Sequence, residues 1–280
     1  MTRLFILLAF LLLTFRGGIS TVSAQESGNP AMPSEPVLTA TLISGVAGTG
    51  DAPELPGGME ISLAPGWHTY WRTPGDSGLA PRFDWSSSQN VKEVRVQWPV
   101  PKRKEEAGLF VYAYDQDVML PLVIIPEEPG KDVTLTANIQ ALVCLKICIP
   151  QNVTSTLVIP AGDAVPTSSQ SRIDMARARV PVPADEQSTL RLETAVLGME
   201  HIVFTAFSDE GFQGADIFIE TNGMSLSSPP EILSDTSSPN RAIIRVNAPK
   251  GSDLTSSFLG STLRATLVKG DKATEKEFYF

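Results

Sequence analysis

The sequence predicts an all-β protein made of two β-sandwich domains in tandem. Short stretches of alternating apolar and polar residues recur along most of the chain, cut by 21 glycines and 22 prolines. A small-residue, polar stretch at 161–187 divides these stretches into two series. The later series, 188–280, has six strand-like segments, enough for one small sandwich.

Taken in order, residues 1–24 read as a secretory signal. Arg3 supplies the positive start, 4–15 is an apolar run, and Val22-Ser23-Ala24 is a small-residue cleavage site. Arg16 closes the run well short of the roughly 20 apolar residues a membrane helix needs. No cysteine follows the cleavage site to carry a lipid, and no later segment is long and apolar enough to span a bilayer. The net charge is −9 and becomes more negative once Arg3 and Arg16 leave with the signal. Such acidity argues against nucleic acid and anionic membrane surfaces as partners.

Residues 25–36, rich in Ser, Gly, Asn and Pro, predict an unstructured lead-in. A strand is expected at 37–46, then a glycine-rich loop at 45–58. That loop lacks the lysine and following helix of a phosphate cradle. Gly75-Asp76-Ser77-Gly78 has the form of a serine-protease nucleophile segment, but His68 stands only seven residues before Gly75 and no other histidine precedes it. A turn is the better reading. Trp67, Tyr70 and Trp71 form an aromatic cluster expected to contribute to the core. Residues 83–85, 91–98, 111–114 and 118–125 continue the β pattern, and 99–108 is expected as a polar loop. Within 161–187 a short helix is expected over 169–180, with Ile173, Ala176 and Val180 on one stripe and Pro181 beyond its end. Strand character returns at 190–197, 201–207, 216–219, 242–246, 263–268 and 277–280. His201 in this half reads as an ordinary strand residue.

The stretch with chemistry is Val143-Cys144-Leu145-Lys146-Ile147-Cys148-Ile149-Pro150, which holds the only two cysteines. In a straight strand, residues four apart stand roughly 13 Å from each other. A disulfide needs Cα atoms within about 7 Å, so the two can bond only if the chain turns between them. The period-2 alternation of 133–143 before the pair, and of 153–159 after it, places that turn at a hairpin tip. Closing so small a ring removes only about 2 kcal/mol of unfolded-state entropy, against nearly 5 for a 100-residue ring. Stabilisation is therefore a weak reason for a bridge here, and labile bridges are typically the catalytic or regulatory ones.

The motifs Gly66-Trp67-His68-Thr69-Tyr70-Trp71-Arg72, Pro74-Gly75-Asp76-Ser77-Gly78, Phe83-Asp84-Trp85, Trp98-Pro99-Val100-Pro101 and Val143 to Pro150 occur together in this order. In this the chain resembles the periplasmic N-terminal region of DsbD-type thiol:disulfide interchange proteins, in the branch related to the suppressor-of-copper-sensitivity proteins. The resemblance spans 37–160 and extends more loosely over 188–280. It implies immunoglobulin-like sandwiches, a periplasmic location, and an electron-transfer type of thiol:disulfide oxidoreductase needing no cofactor. Cys144 and Cys148 match the redox pair, Tyr70 and Trp71 the aromatic segment lining it, and Phe110 in the segment 104–110 is the expected shielding ring. The implied partners are a membrane-embedded or thioredoxin-like electron donor and periplasmic disulfide oxidoreductases. Cytochrome c biogenesis and copper tolerance are the implied settings. Lys146 and the cationic run 102–104 would favour a thiolate by charge.

Two other readings use the same residues. Cys144 and Cys148 as thiolates could hold Cu(I), which soft sulfur selects. A closed zinc site would need four ligands, and two cysteines with two histidines in separate halves do not supply it. The remaining alternative is a non-catalytic scaffold with an incidental bridge.

Overall fold

The computed structural model describes residues 36–221, 224–235 and 237–280. The expected signal at 1–24 lies outside the described residues. The described chain is nearly all β, as expected. Ten strands come first: β1 (Leu38–Ser44), β2 (Leu55–Leu63), β3 (His68–Gly75), β4 (Arg82–Asp84), β5 (Glu93–Val96), β6 (Lys102–Glu106), β7 (Leu109–Tyr114), β8 (Val118–Ile125), β9 (Val133–Cys144) and β10 (Cys148–Ile159). They form a sheet of order β1-β2-β8-β5 and a larger one of order β10-β9-β3-β7-β6, with β4 also on β9. The inward faces close a core that includes Leu42, Met59, Leu120, Leu122, Leu135 and Ile139.

After helix α1 (Gln170–Arg177), the chain adds β11 (Val182–Pro183), β12 (Leu190–Leu197), β13 (His201–Ser208), β14 (Asp216–Glu220), β15 (Glu231–Asp235), β16 (Ser238–Asn247), α2 (Leu254–Phe258), β17 (Thr262–Lys269) and β18 (Lys272–Tyr279). Two further sheets, β11-β18-β17-β14 and β12-β13-β16-β15, enclose a second core around Phe204, Ile217, Ile244 and Leu267. These are the two immunoglobulin-like sandwiches the sequence predicts.

Two expected loops are partly strands. Strand β2 begins inside the glycine-rich stretch because its glycines make room. A side chain at Gly57 would come within 2.8 Å of Ile124, and one at Gly58 within 2.6 Å of Met119 and 3.2 Å of Ile173 from α1. Strand β6 occupies half of the expected polar loop, residues 102–106. Two of its cations find partners distant in sequence, Arg103 at Asp216 and Lys104 at His68, and Lys104 also pairs with Glu106 on the same strand. The turn into β7 has Ala107 at φ 52° and Gly108 at φ 81°, the left-handed pair of a two-residue hairpin.

The two sandwiches share buried material. Phe218 of β14 belongs to the first core, its ring 4.9 Å from Tyr112 and 5.9 Å from Trp71. Tyr112 donates its hydroxyl to Leu226 O and accepts from Ile219 N–H. Arg72 bridges Glu220 and Glu275, while Arg103, only 9% exposed, pairs with Asp216 at 2.8 Å. Opposite charges held this far from water must be paired, so each arginine fixes the second sandwich against the first.

Candidate redox site

Strands β9 and β10 pair without a slip from Val133↔Ile159 up to Cys144↔Cys148. Residues 145–147 make the tip, closed by Leu145 N–H donating to Ile147 O. This is the hairpin that the flanking alternation predicts. The chain reversal brings the two cysteine Cα atoms to 4.1 Å, and the sulfurs are bonded. Cys144 is 2% exposed, whereas Cys148, Leu145, Lys146 and Ile147 are all exposed. The bridge therefore joins a buried cysteine to an exposed one.

Cys144 is hidden by a small apolar cluster separate from the main core: Tyr70, Val111 and Ala113, with Leu142 against it. Period-2 alternation along β3 separates the two aromatic neighbours expected to line the pair. Tyr70 takes the cysteine face, its hydroxyl 3.1 Å from Cys144 Sγ and 4.0 Å from Cys148 Sγ. Trp71 takes the opposite face, fully buried against Tyr112 and Phe218 with the Arg72 guanidinium over its ring. The expectation that Trp71 lines the sulfurs is corrected on that ground: two adjacent strand residues cannot share a face. Burial, with the negative Glu106 nearby, pushes Tyr70 up to about 12, so its hydroxyl keeps the proton throughout the neutral range.

Phe110 stands half-buried two residues past the β6–β7 tip. Its backbone is clamped to the 75–78 turn: Phe110 N–H donates to Asp76 Oδ2, and Asp76 N–H donates to Phe110 O. The protease-like segment is thus a turn lying over Tyr70. Gly78, at φ 92°, sits so close to the Tyr70 ring that a Cβ there would overlap it at 2.2 Å. Nothing in the sequence beyond the two glycines hinted at this role.

Sequence reasoning also missed a polar group beside the bridge. His68 pairs directly with Cys144 across β3 and β9 and is 1% exposed. Lys104 Nζ lies 3.1 Å from its Nδ1 and Glu106 Oε1 2.9 Å from its Nε2, with Tyr70 edge-on at 5.4 Å. Burial pushes His68 below its ordinary value; Glu106 pulls upward without overcoming this, and Lys104 adds to the lowering. Lysine can only donate, so Nδ1 is the acceptor of a neutral ring. Spacing from His68 to the cysteines gives no sign of this, because the strands meet only in the fold.

Residues 51–160 match the family described as thiol:disulfide interchange protein DsbD, N-terminal. These residues are a DsbD-type N-terminal domain. The fold continues past the DsbD-type domain into the second sandwich. The crystal structure of the N-terminal periplasmic domain of ScsB from Proteus mirabilis overlays at TM-score 0.69, with 20% identity, covering 89% of this chain and 95% of that one. That likeness bears on fold. A marsupial T cell receptor also aligns, at 12% identity over 88% of this chain and 98% of that one, but its TM-score of 0.22 carries no argument. No curated protein matches the sequence. Among the described residues, no helix is long and apolar enough to cross a membrane.

Proposed function

We propose that this chain is a periplasmic thiol–disulfide exchange protein that passes electrons through Cys144 and Cys148 to or from partner oxidoreductases. In this reading 37–160 carries the chemistry, 188–280 is the second domain, and 161–187 joins them. The observation that carries it is the asymmetry of the bridge: Cys148 is exposed, while Cys144 is buried under a protonated tyrosine hydroxyl at 3.1 Å. A partner thiolate attacks Cys148 Sγ and forms a mixed disulfide. The electron pair of the broken bond leaves on Cys144 Sγ, where Tyr70 donates a hydrogen bond to the new thiolate. A second partner thiolate then attacks its own sulfur in the mixed disulfide and frees Cys148. Exposed Leu145 and Ile147 beside Cys148 supply apolar surface for the partner. The match to a DsbD-type domain supports export to the periplasm, a thioredoxin-like or membrane-embedded donor, and oxidised periplasmic oxidoreductases as acceptors.

The test is the reduction potential of the pair, measured against glutathione or dithiothreitol buffers, with a Cu(I) titration of the reduced protein. An exchange bridge should lie above the roughly −300 mV that bounds structural bridges. A lower value would assign the bridge to structure. Tight Cu(I) binding with no exchange on thioredoxin-like partners would assign the thiols to copper.

We assign Phe110 the shielding role from the edge of the site: alternation along β7 sets it on the face opposite Val111 and Ala113, and its backbone clamp to the turn covering Tyr70 is what supports the role. Phe110→Ala is expected to speed reduction by dithiothreitol several-fold while leaving the thermal midpoint nearly unchanged, since the residue is only half-buried. A large drop in midpoint with unchanged reduction rate would make Phe110 a packing residue and move the shield elsewhere.

A further inference from the structure

We infer that His68 is a positioning residue for the exchange reaction. In this inference it takes up a proton as the Cys144–Cys148 bond opens and holds Cys144 as a thiolate. This rests on the exchange reading above. The geometry points to it in three ways. His68 faces Cys144 as a direct cross-strand partner, which sets their Cβ atoms about 5 Å apart. Its ring is buried, yet its polar atoms are imperfectly used: Nε2 is within ion-pair reach of Glu106 but not aligned as a hydrogen bond. And Nδ1 is occupied by Lys104, a side chain 28% exposed that can turn off the ring while keeping its pairing to Glu106.

The charges around His68 make the consequence specific. Lys104 and Glu106 of β6 face the ring, Tyr70 lies edge-on beside it on β3, Cys144 faces it from β9, and Asp115 acts from the end of β7, itself paired to Lys102. While the bridge is closed, the lysine and the carboxylate offset each other and the imidazole is neutral. Opening the bridge places a full negative charge on buried Cys144, with no cation newly supplied. An uncompensated charge in such a site is strongly unfavourable. A proton on Nδ1 restores the balance if the Lys104 ammonium turns off that atom but stays paired with Glu106, 3.4 Å away, so that the imidazolium offsets the thiolate.

The step closes in atoms and electrons. The partner thiol ionises and its proton ends on His68 Nδ1. The thiolate bonds to Cys148 Sγ, the Sγ–Sγ bond breaks, and its electron pair stays on Cys144. The partner's second thiol ionises and attacks the partner-side sulfur. The mixed disulfide breaks, and Cys148 leaves with its electron pair and takes that second proton. The partner dithiol is oxidised, the bridge is reduced, and two electrons with two protons have moved. Electron flow the other way is the reverse of each step, with His68 returning its proton.

The test is a histidine-ring NMR titration of the full mature chain, oxidised and then reduced. The chain has two histidines, so His201 in the second sandwich serves as the internal control. On reduction the His68 titration midpoint should rise by about one pH unit or more, a tenfold change in proton affinity, while that of His201 stays. In reduced Cys148→Ser, where Cys144 is the one thiol, His68→Gln should raise the pH midpoint of thiolate ultraviolet absorbance by about one unit without changing the fold by circular dichroism. Equal His68 midpoints in the two states would overturn the inference, as would a rise that persists in Cys144→Ser with Cys148 reduced. Should partner exchange fail while the His68 midpoint still moves with reduction, the exchange reading falls and the coupling of His68 to Cys144 stands.

Discussion

Cys144→Ser is expected to trap a mixed disulfide between Cys148 and an oxidised partner, whereas Cys148→Ser traps little or none. Both variants should lose turnover entirely, because exchange through a pair needs one sulfur to be attacked and another to resolve. The contrast between them comes from access. Disulfide exchange requires the three sulfurs to line up, so the attacked sulfur must be open along the bond axis. Cys148 stands exposed at the hairpin tip, while Cys144 is 2% exposed beneath Tyr70, Val111 and Ala113. In Cys144→Ser the free thiol is the reachable one, and nothing remains to release the adduct. In Cys148→Ser the remaining thiol is enclosed and meets partners only when the cluster opens. Non-reducing electrophoresis and intact mass after mixing with an oxidised thioredoxin-like protein would show the difference. Equal trapping by both variants would mean the buried sulfur is as accessible as the exposed one, and the assignment of roles would fail.

Much of this site could be read from the residues. The hairpin followed from two alternating runs and from the distance a disulfide can span. The orientation of Tyr70 and Trp71 was also within reach of the sequence, because a strand sends neighbours to opposite faces. What misled was the treatment of two adjacent rings as one lining segment. Other features depend on groups that meet only after folding. The Pro56-Gly57-Gly58 run looks like a turn because glycine is penalised in an isolated strand, and only the fold shows the Ile124, Met119 and Ile173 side chains that fill the space beside it. The charged run 102–106 looks like a loop because its partners lie far off, Arg103's counter-charge 113 positions away at Asp216 and Lys104's acceptor across the sheet at His68. His68 itself stands beside no acidic or sulfur neighbour in sequence; register alone sets it against Cys144.

The same distance in sequence hides the joint between the sandwiches, and there Phe218→Ala is expected to cost about 3–5 kcal/mol of stability. Phe218 lies on β14, yet its ring is 2% exposed inside the first core, edge-on to Tyr112 at 4.9 Å. Truncation leaves a cavity between Tyr112 and Trp71, two rings held by polar groups at their rims and poorly able to close in. Tyr112 is tied through its hydroxyl to Leu226 O and Ile219 N–H, and Trp71 lies under the Arg72 guanidinium at 4.5 Å. Arg103 adds to the loss, since its guanidinium stands over both the Tyr112 and Phe218 rings while pairing with Asp216. For a chain of this size, 3–5 kcal/mol corresponds to a thermal midpoint lower by roughly 10 °C. Because the lost packing belongs to both sandwiches at once, the unmutated protein should unfold in one calorimetric transition, and Phe218→Ala should separate it into two. Trp71 fluorescence is a convenient second reporter, as its ring faces the cavity directly. Two well-resolved transitions in the unmutated chain would show that each sandwich folds independently of this joint. A cost below about 1 kcal/mol for Phe218→Ala would show that the shared core contributes little.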